Sequence, residues 1–260
     1  DLYRRARDAG IKHGVVQDKI YLTGLRKIKS LIDDGFFGDI FAVRGEFGYW
    51  VFEGDWRRGQ RPSWNYRKEF GGGIIFDMLP HWRYVLDTFF GNVLSVSCLG
   101  ATHIPRRWDE NGDAFDADAE DAAYATFQLD NGIIVSFNSA YCTRVRRDDT
   151  LTFHVDGTLG AAVAGFTRCV IQDRDATPFP SWNPDSAETF DFRSAWREYE
   201  PDLPVINGFN AEWELFIKHL YEGTDFPWDL RAGAKGVQLA ELATRSWRER
   251  RWIDIPELED

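Results

Sequence analysis

Cysteine is scarce in this chain: only Cys98, Cys142 and Cys169 occur among its 260 residues. Because they are odd in number and far apart, they do not form a disulfide scaffold. No two of them have a spacing typical of a metal site. We predict reduced, structural thiols in a cytoplasmic protein. Long apolar runs are also missing, because no stretch approaches the roughly 20 residues that a membrane-spanning helix needs.

Positive charge is in deficit as well. The chain has 31 lysines and arginines against 42 aspartates and glutamates, which gives a formal net charge of −11. Nucleic acids and anionic membranes are bound by basic surfaces, so we expect neither as a partner. The sequence contains no G-x-S-x-G nucleophile elbow, no Walker loop and no G-x-G-x-x-G dinucleotide fingerprint. Aromatic residues are abundant, with eleven tryptophans, and they suit cores, subunit interfaces and sugar-stacking surfaces alike.

Three consecutive glycines, Gly71 to Gly73, stand directly before a stretch with helical periodicity. After them, apolar side chains recur at a spacing of three to four residues, at Ile74, Met78, Trp82 and Val85. Each glycine costs about 1 kcal/mol relative to alanine in a helix, so the run predicts a place where another backbone or a ligand comes close. Pro80 is expected to kink or restart this helix.

Asp77 and His81 lie four residues apart on the predicted helix, so their side chains share one face within hydrogen-bonding reach. A carboxylate on one imidazole nitrogen fixes the tautomer and leaves the other nitrogen basic, as a general base near neutral pH requires. The alternative is a surface ion pair or a satisfied contact in the core. The pair supplies two metal ligands at most, with no obvious third, so we expect no metal site.

Residues 53–70 show almost no periodicity, and a loop this long is uncommon in a compact domain unless it has a function. Tryptophan, tyrosine and arginine alternate along it, and such side chains stack on sugar rings or hold carboxylates and phosphates. A subunit contact would use the same residue types. We favour a substrate-binding role, and the candidate substrate contacts are Arg57, Trp64, Tyr66 and Arg67, together with Lys19 near the start of the chain.

The order of elements predicts an α+β fold, in which helices cover one face of a large, open, mostly antiparallel sheet. Asn131-Gly132 between two alternating apolar runs is a strong hairpin signal. The predicted helices span 22–34, 74–90, 208–222 and 230–248; the predicted strands span 41–51, 94–98, 123–129, 133–140, 151–155 and 169–172. Residues 102–121 are predicted to be a surface loop, and 176–204 a long excursion rich in proline and acidic residues.

Residues 1–19 read as the end of a helix, a glycine stop at Gly10, and a short strand over 11–16. A unit this small cannot bury its own apolar face, so we interpret it as the last αβ unit of a larger sheet that is not in this sequence. A stand-alone N-terminal arm is the alternative.

The run Gly71-Gly72-Gly73-(x)3-Asp77-(x)3-His81-(x)5-Asp87 resembles the signature of the Gfo/Idh/MocA oxidoreductases, the glucose-fructose oxidoreductase and inositol dehydrogenase group. Similar likeness occurs at 14–19, 34–40, 156–160, 228–229 and 233–236. The resemblance implies an N-terminal Rossmann domain that binds NAD or NADP, and a C-terminal domain whose open sheet commonly builds homo-oligomers. It also implies that His81 accepts the proton of a sugar or cyclitol hydroxyl, that Asp77 orients His81, and that hydride passes to the nicotinamide.

Two features of the family are missing from this chain: the dinucleotide glycine loop and the Glu-Lys-Pro motif that carries a third catalytic residue. Lys19 is not that lysine. We therefore expect residues 1–19 to be a remnant of the Rossmann domain and residues 20–260 to be the substrate-binding and oligomerisation domain. NAD or NADP would be bound mainly by the missing domain, or by a separate Rossmann chain, and this chain alone would be inactive. A non-catalytic assembly or carbohydrate-binding subunit is the competing hypothesis.

Overall fold

One nine-stranded sheet and five helices organise the part of the chain that the computed structural model describes, which is residues 1–180, 183–185, 191–204 and 206–259. The helices are α1 (Leu2–Asp8), α2 (Thr23–Asp33), α3 (Ile74–Phe89), α4 (Gly208–Glu222) and α5 (Leu230–Glu249). The strands are β1 (Ile40–Gly48), β2 (Val93–Ala101), β3 (Arg106–Trp108), β4 (Ala114–Asp116), β5 (Ala122–Leu129), β6 (Ile134–Ala140), β7 (Leu151–Gly157), β8 (Gly160–Ala164), β9 (Cys169–Asp173), β10 (Arg197–Glu198) and β11 (Ile253–Asp254).

The strand order across the sheet is β10-β9-β8-β7-β1-β6-β5-β2-β11. All neighbouring strands are antiparallel except β1 and β6, which pair in parallel. The predicted hairpin is present as β5 and β6, and Gly132 in its turn has φ +88°, a backbone conformation that glycine adopts without steric cost. The predicted fold class, an open and mostly antiparallel sheet with helices on one face, is confirmed.

The core lies between the sheet and the helices α2, α3 and α5. Side chains alternate along each strand, so every second residue faces these helices. Trp82 of α3 is 1% exposed, and its ring stacks on Phe137 of β6 with centroids 4.3 Å apart. The indole N–H donates to Ser139 Oγ at 2.9 Å, so this large side chain is buried without an unpaired donor. The packing fixes α3 against the sheet and therefore positions Asp77 and His81.

The structure departs from the sequence prediction at several elements. Residues 11–17 have no regular secondary structure, so the predicted strand over 11–16 is wrong. Val15 N–H donates to the Trp228 carbonyl at 2.8 Å, which is one bond and not a ladder. Strands β3 and β4 form a small hairpin inside the predicted loop over 102–121. The excursion predicted over 176–204 includes residues 181–182 and 186–190, which lie outside the described residues.

Two further differences have simple causes. Strand β8 was not predicted because its sequence, Gly-Ala-Ala-Val-Ala, has almost none of the β-branched or aromatic residues typical of strands. Helix α3 continues through Pro80 without restarting, because the buried side chains on both sides of the proline hold its two halves to the same core. In the described residues, no helix combines the length and apolarity needed to cross a membrane.

Candidate active site

The glycine run makes room for another part of the backbone. Gly71 has φ +74° and Gly73 has φ +117°, and both values belong to a region that other residues rarely adopt. A Cβ atom on Gly72 would lie 2.4 Å from the Trp64 carbonyl oxygen. The run therefore allows the close approach that the sequence predicted, and the approaching group is the chain's own backbone.

Glu120 accepts hydrogen bonds from the N-terminus of α3. Its carbonyl accepts the Ile74 N–H at 3.1 Å, and its Oε1 accepts the Ile75 N–H at 3.1 Å. A Cβ on Gly73 would stand 2.3 Å from Oε1, so only glycine fits beside this carboxylate. Burial raises the pKa of Glu120. These bonds satisfy N–H groups that a helix N-terminus leaves free, and they fix where α3 begins.

His81 lies four residues after Asp77 on α3 and is half-buried. Its Nδ1 is 2.8 Å from the Tyr84 hydroxyl, which also accepts the Lys19 backbone N–H at 3.1 Å. The same hydroxyl is 3.4 Å from Asp18 Oδ1, and Asp18 Oδ2 pairs with Lys19 Nζ at 2.7 Å. No described hydrogen bond involves His81 Nε2. The imidazole is thus held at one nitrogen and has no protein partner, in the described residues, at the other.

The surroundings of His81 keep the ring neutral. Burial, followed by the positive charge of Lys19, lowers the pKa of His81 to about 4. Asp18 and Asp77 act in the opposite direction, and Arg61 lowers the pKa further. At neutral pH the ring is therefore uncharged and able to accept a proton.

Asp77 has other partners than the one predicted. Its Oδ2 accepts a hydrogen bond from Arg61 Nη1 at 2.7 Å and another from the Tyr141 hydroxyl. Among the described residues, Asp77 and His81 make no hydrogen bond with each other, so this part of the prediction is wrong. The two side chains share a helix face, but the Arg61 guanidinium offers the carboxylate a charge-assisted bond that a neutral imidazole cannot match.

Sequence reasoning missed three of these side chains: Arg61, Tyr84 and Tyr141. Arg61 also donates from Nε to Tyr49 and lies over the Tyr141 ring, 4.2 Å from its centroid. Nothing in the sequence distinguishes it from the other arginines of the loop. Tyr84 had a signal, because it follows His81 by three residues and so shares its face of α3.

The predicted substrate contacts lie in different surroundings. Lys19 is near His81, because its backbone N–H bonds the same Tyr84 hydroxyl that His81 Nδ1 contacts. Tyr66 is 3% exposed, lies under the Arg107 guanidinium at 3.9 Å, and meets the Tyr141 ring edge-on. Arg57 is exposed and stacks on Phe52 and Trp56, Arg67 lies 4.1 Å over the Phe115 ring, and Trp64 is 48% exposed. No described contact joins Arg57, Trp64 or Arg67 to His81, and their role in binding substrate stays a prediction.

Three helix N-termini of this domain already use N–H donors that a dinucleotide pyrophosphate would need. Such a group requires free N–H donors at the start of a helix. In α3 these donors are used by Glu120, as described above. In α4 and α5 the side chains of Asn207 and Asp229 accept the N–H groups of Asn210 and Ala232. The residues near His81 can take part in proton transfer, whereas part of the N–H donors at the start of each of these three helices is already bonded within the chain.

Fold and site together define an α+β domain that presents a neutral, half-buried histidine between a lysine and an arginine–aspartate pair. The chain belongs to the GFO/IDH/MocA family, because the model of the family's C-terminal domain matches residues 25–163. It is 50% identical over 262 residues to a D-xylose dehydrogenase of Paenarthrobacter nicotinovorans, covering 99% of this chain and 68% of that protein.

Solved structures show the same fold at lower identity. A levoglucosan dehydrogenase in complex with NADH and levoglucosan is 19% identical, with a TM-score of 0.77 over 99% of this chain and 69% of that one. The super-repressor mutant of Gal80p from Saccharomyces cerevisiae is 13% identical, with a TM-score of 0.75 over 98% of this chain and 67% of that one. The fold therefore occurs both in a dehydrogenase and in a repressor.

Proposed function

We propose that this chain is the substrate-binding and catalytic part of an NAD(P)-dependent oxidoreductase that oxidises or reduces a hydroxyl group of a sugar or cyclitol. The observation that carries the proposal is the neutral His81 imidazole, held at Nδ1 and unbonded at Nε2. The sequence identity of 50% to a D-xylose dehydrogenase, across 99% of this chain, supports a sugar as the substrate class.

In this proposal, His81 Nε2 accepts the proton of the substrate hydroxyl. The positive charge of Lys19 beside the ring favours the developing alkoxide. Arg61 and Tyr141 hold Asp77 on the same helix face, where its carboxylate is placed to accept a bond from a second substrate hydroxyl. The loop residues Arg57, Trp64, Tyr66 and Arg67 form or support the outer wall of the substrate site.

NAD or NADP would accept the hydride when bound. Since N–H donors at the N-termini of α3, α4 and α5 are bonded within the chain and the sequence has no dinucleotide glycine loop, we propose that the nucleotide is held mainly by residues outside this chain. Residues 1–19 would then be the end of that nucleotide-binding domain, and residues 20–260 the substrate domain. A separate chain could supply the same domain.

We further propose that the sheet face opposite the helices forms a homo-oligomer. Large apolar side chains are exposed on its strands: Phe41, Leu94, Leu99, Tyr124 and Ile134. Leu99 and Tyr124 are direct partners in the β2–β5 register, so they form one continuous patch. An antiparallel sheet can leave one face in water, but large apolar side chains grouped on such a face mark an interaction surface.

A second candidate function is a non-catalytic assembly or carbohydrate-binding subunit. The likeness of the fold to Gal80p, a repressor, favours keeping this candidate. The two functions differ in what His81 does. In a binding subunit, affinity for a sugar survives the loss of the imidazole, and no nucleotide-dependent turnover occurs.

The experiment is a comparison of His81→Gln with His219→Gln. His219 lies on α4, is half-buried like His81, and bonds the Thr224 carbonyl, so its replacement serves as the matched control. Both variants are assayed with the nucleotide-binding domain supplied, using NAD and NADP, against D-xylose and a panel of sugars and inositols. His81→Gln is expected to lower turnover by roughly 10²–10⁴-fold, the usual contribution of a general base. Turnover within a few-fold of the control removes His81 from this role.

A further inference from the structure

The Tyr84 hydroxyl is the centre of a small buried network beside His81. Tyr84 is 8% exposed, and three groups surround its oxygen: the Lys19 backbone N–H, His81 Nδ1 and Asp18 Oδ1. None of these contacts is predicted by the sequence signature that contains Asp77 and His81. The network reaches His81 from the side opposite to the nitrogen that is free.

The Tyr84 hydroxyl has a single proton, and this determines which group donates in each of its hydrogen bonds. A phenol has one proton to donate and two lone pairs that accept. The Lys19 backbone N–H can only donate, so it occupies one lone pair. Asp18 forms an ion pair with the Lys19 ammonium at 2.7 Å, and a carboxylate in an ion pair can only accept. The Tyr84 proton therefore belongs on the bond to Asp18.

The remaining bond must then come from the imidazole. With its proton directed to Asp18, the Tyr84 oxygen can only accept from His81, so Nδ1 carries the hydrogen and Nε2 is bare. The opposite arrangement would leave two acceptors, the phenol oxygen and Asp18 Oδ1, facing each other with no proton between them. Burial raises the pKa of Tyr84, so the phenol keeps its proton through neutral pH.

We propose that Tyr84 is a positioning residue that holds His81 as the Nδ1–H tautomer, with Asp18 orienting the Tyr84 hydroxyl. The proposal deepens the proposed function, on which its meaning for catalysis rests. It gives Tyr84 the orienting task that the sequence assigned to Asp77, whose carboxylate is bonded to Arg61 and Tyr141 instead. The charged groups that act on His81 are Lys19, Asp18, Asp77 and Arg61.

The test is a direct measurement of the tautomer. Two-bond ¹H–¹⁵N correlation spectra of the 260-residue chain, labelled with ¹⁵N-histidine and recorded at pH 7, distinguish a protonated from a bare ring nitrogen. The wild-type spectrum is expected to show His81 with Nδ1 protonated. In Tyr84→Phe this preference is expected to be lost, because the acceptor is gone. Tyr141→Phe is the matched control: Tyr141 bonds Asp77 and not His81, so the tautomer is expected to stay unchanged.

A wild-type spectrum in which Nε2 of His81 is protonated overturns the proposal by itself. The proposal can therefore be contradicted even if the Tyr84→Phe variant folds poorly. An unchanged tautomer in a folded Tyr84→Phe chain overturns it equally. In turnover assays the same variant is expected to lose about tenfold or more in kcat with little change in KM. Failure of the proposed function is distinguishable, because a tautomer shift in Tyr84→Phe combined with normal turnover in His81→Gln would support the network and reject the catalysis.

Discussion

Lys19 carries the positive charge that most strongly lowers the pKa of His81, after burial itself. Replacing Lys19 with methionine keeps an unbranched side chain one atom shorter and removes the charge. It also leaves Asp18, which raises the imidazole pKa, without its ion-pair partner. We therefore expect the His81 pKa to rise from about 4 by roughly 1 unit or more in Lys19→Met, as an NMR titration of the ring would measure.

The sign of the accompanying stability change follows from the same shift. Because the folded-state pKa lies below the unfolded value, the unfolded chain takes up the proton first as the pH falls. The contribution of His81 to stability is thus present above pH 6.5 and is lost between pH 6.5 and about 4. In Lys19→Met the folded-state pKa of His81 is higher, so the pH range over which this stability is lost has a higher lower limit and is narrower. Lys29→Met, on the exposed side of α2, is the control, and an equal titration in both variants would contradict the assigned cause.

Individual residues of the site were only partly predictable from the sequence. The interval of four residues placed Asp77 and His81 on one helix face, since helical geometry alone determines that. It could not identify their partners, because Arg61 and Tyr141 reach Asp77 from sequence distances of 16 and 64 residues. Contacts of this kind depend on how the loop and β6 fold back on α3, and no local pattern encodes them.

At the scale of elements, the glycine run joins the loop over residues 53–70 to α3. Gly73 adopts φ +117° with Glu120 Oε1 2.3 Å from the site of a Cβ, whereas Gly71 adopts φ +74° with no atom within 4 Å. We expect Gly73→Ala to destabilise the fold by roughly 2–4 kcal/mol, because strain and a clash with the carboxylate add together. Gly71→Ala is expected to cost only about 1 kcal/mol, from backbone strain alone.

Urea unfolding of the two alanine variants at pH 7 measures this difference. The comparison is well matched, since both substitutions add one methyl group to a left-handed glycine of the same run. Equal losses in the two variants would show that the carboxylate of Glu120 moves aside, and that its bond to the Ile75 N–H does not fix the start of α3.

Elements with strong periodicity were predictable, and weakly marked ones were not. Helix α4 was bounded correctly by Gly208 and Glu222, and α3 by its glycine start, because caps and periodicity agree there. The stretch over 11–16 has the apolar composition of a strand, but in the described structure no strand lies beside it. A strand needs a neighbour, and the choice of neighbour is a property of the tertiary fold.

On the scale of the whole molecule, the two faces of the sheet differ in what covers them. Helices α2, α3 and α5 bury one face, while the other presents a mixture of apolar and polar side chains to solvent. Near the centre of that open face, Arg44 pairs with both Asp156 and His154 across β1 and β7. Ser136 of β6 is level with Arg44 in the register, and the exposed Leu99 and Tyr124 lie farther across the sheet on β2 and β5. A face that mixes polar and apolar side chains in this way has the composition of a surface that is solvated in the monomer and buried in an oligomer.

If the open face joins two copies around a two-fold axis, each substitution in the contact occurs twice, because such an interface uses the same patch on both subunits. Leu99 is 49% exposed and pairs with Tyr124, so Leu99→Glu would place like charges into the contact and remove apolar area. We expect its dissociation constant to rise by roughly 100-fold or more, which corresponds to about 3 kcal/mol. Light scattering coupled to size-exclusion chromatography, over a range of concentrations, measures the change. Phe179→Glu is the control, since Phe179 is 97% exposed and lies outside the sheet. The proposal is contradicted by a wild-type chain that stays monomeric at tens of micromolar. It is contradicted equally by a Leu99→Glu chain that is as oligomeric as the control, and in either case the open face would be assigned to another partner.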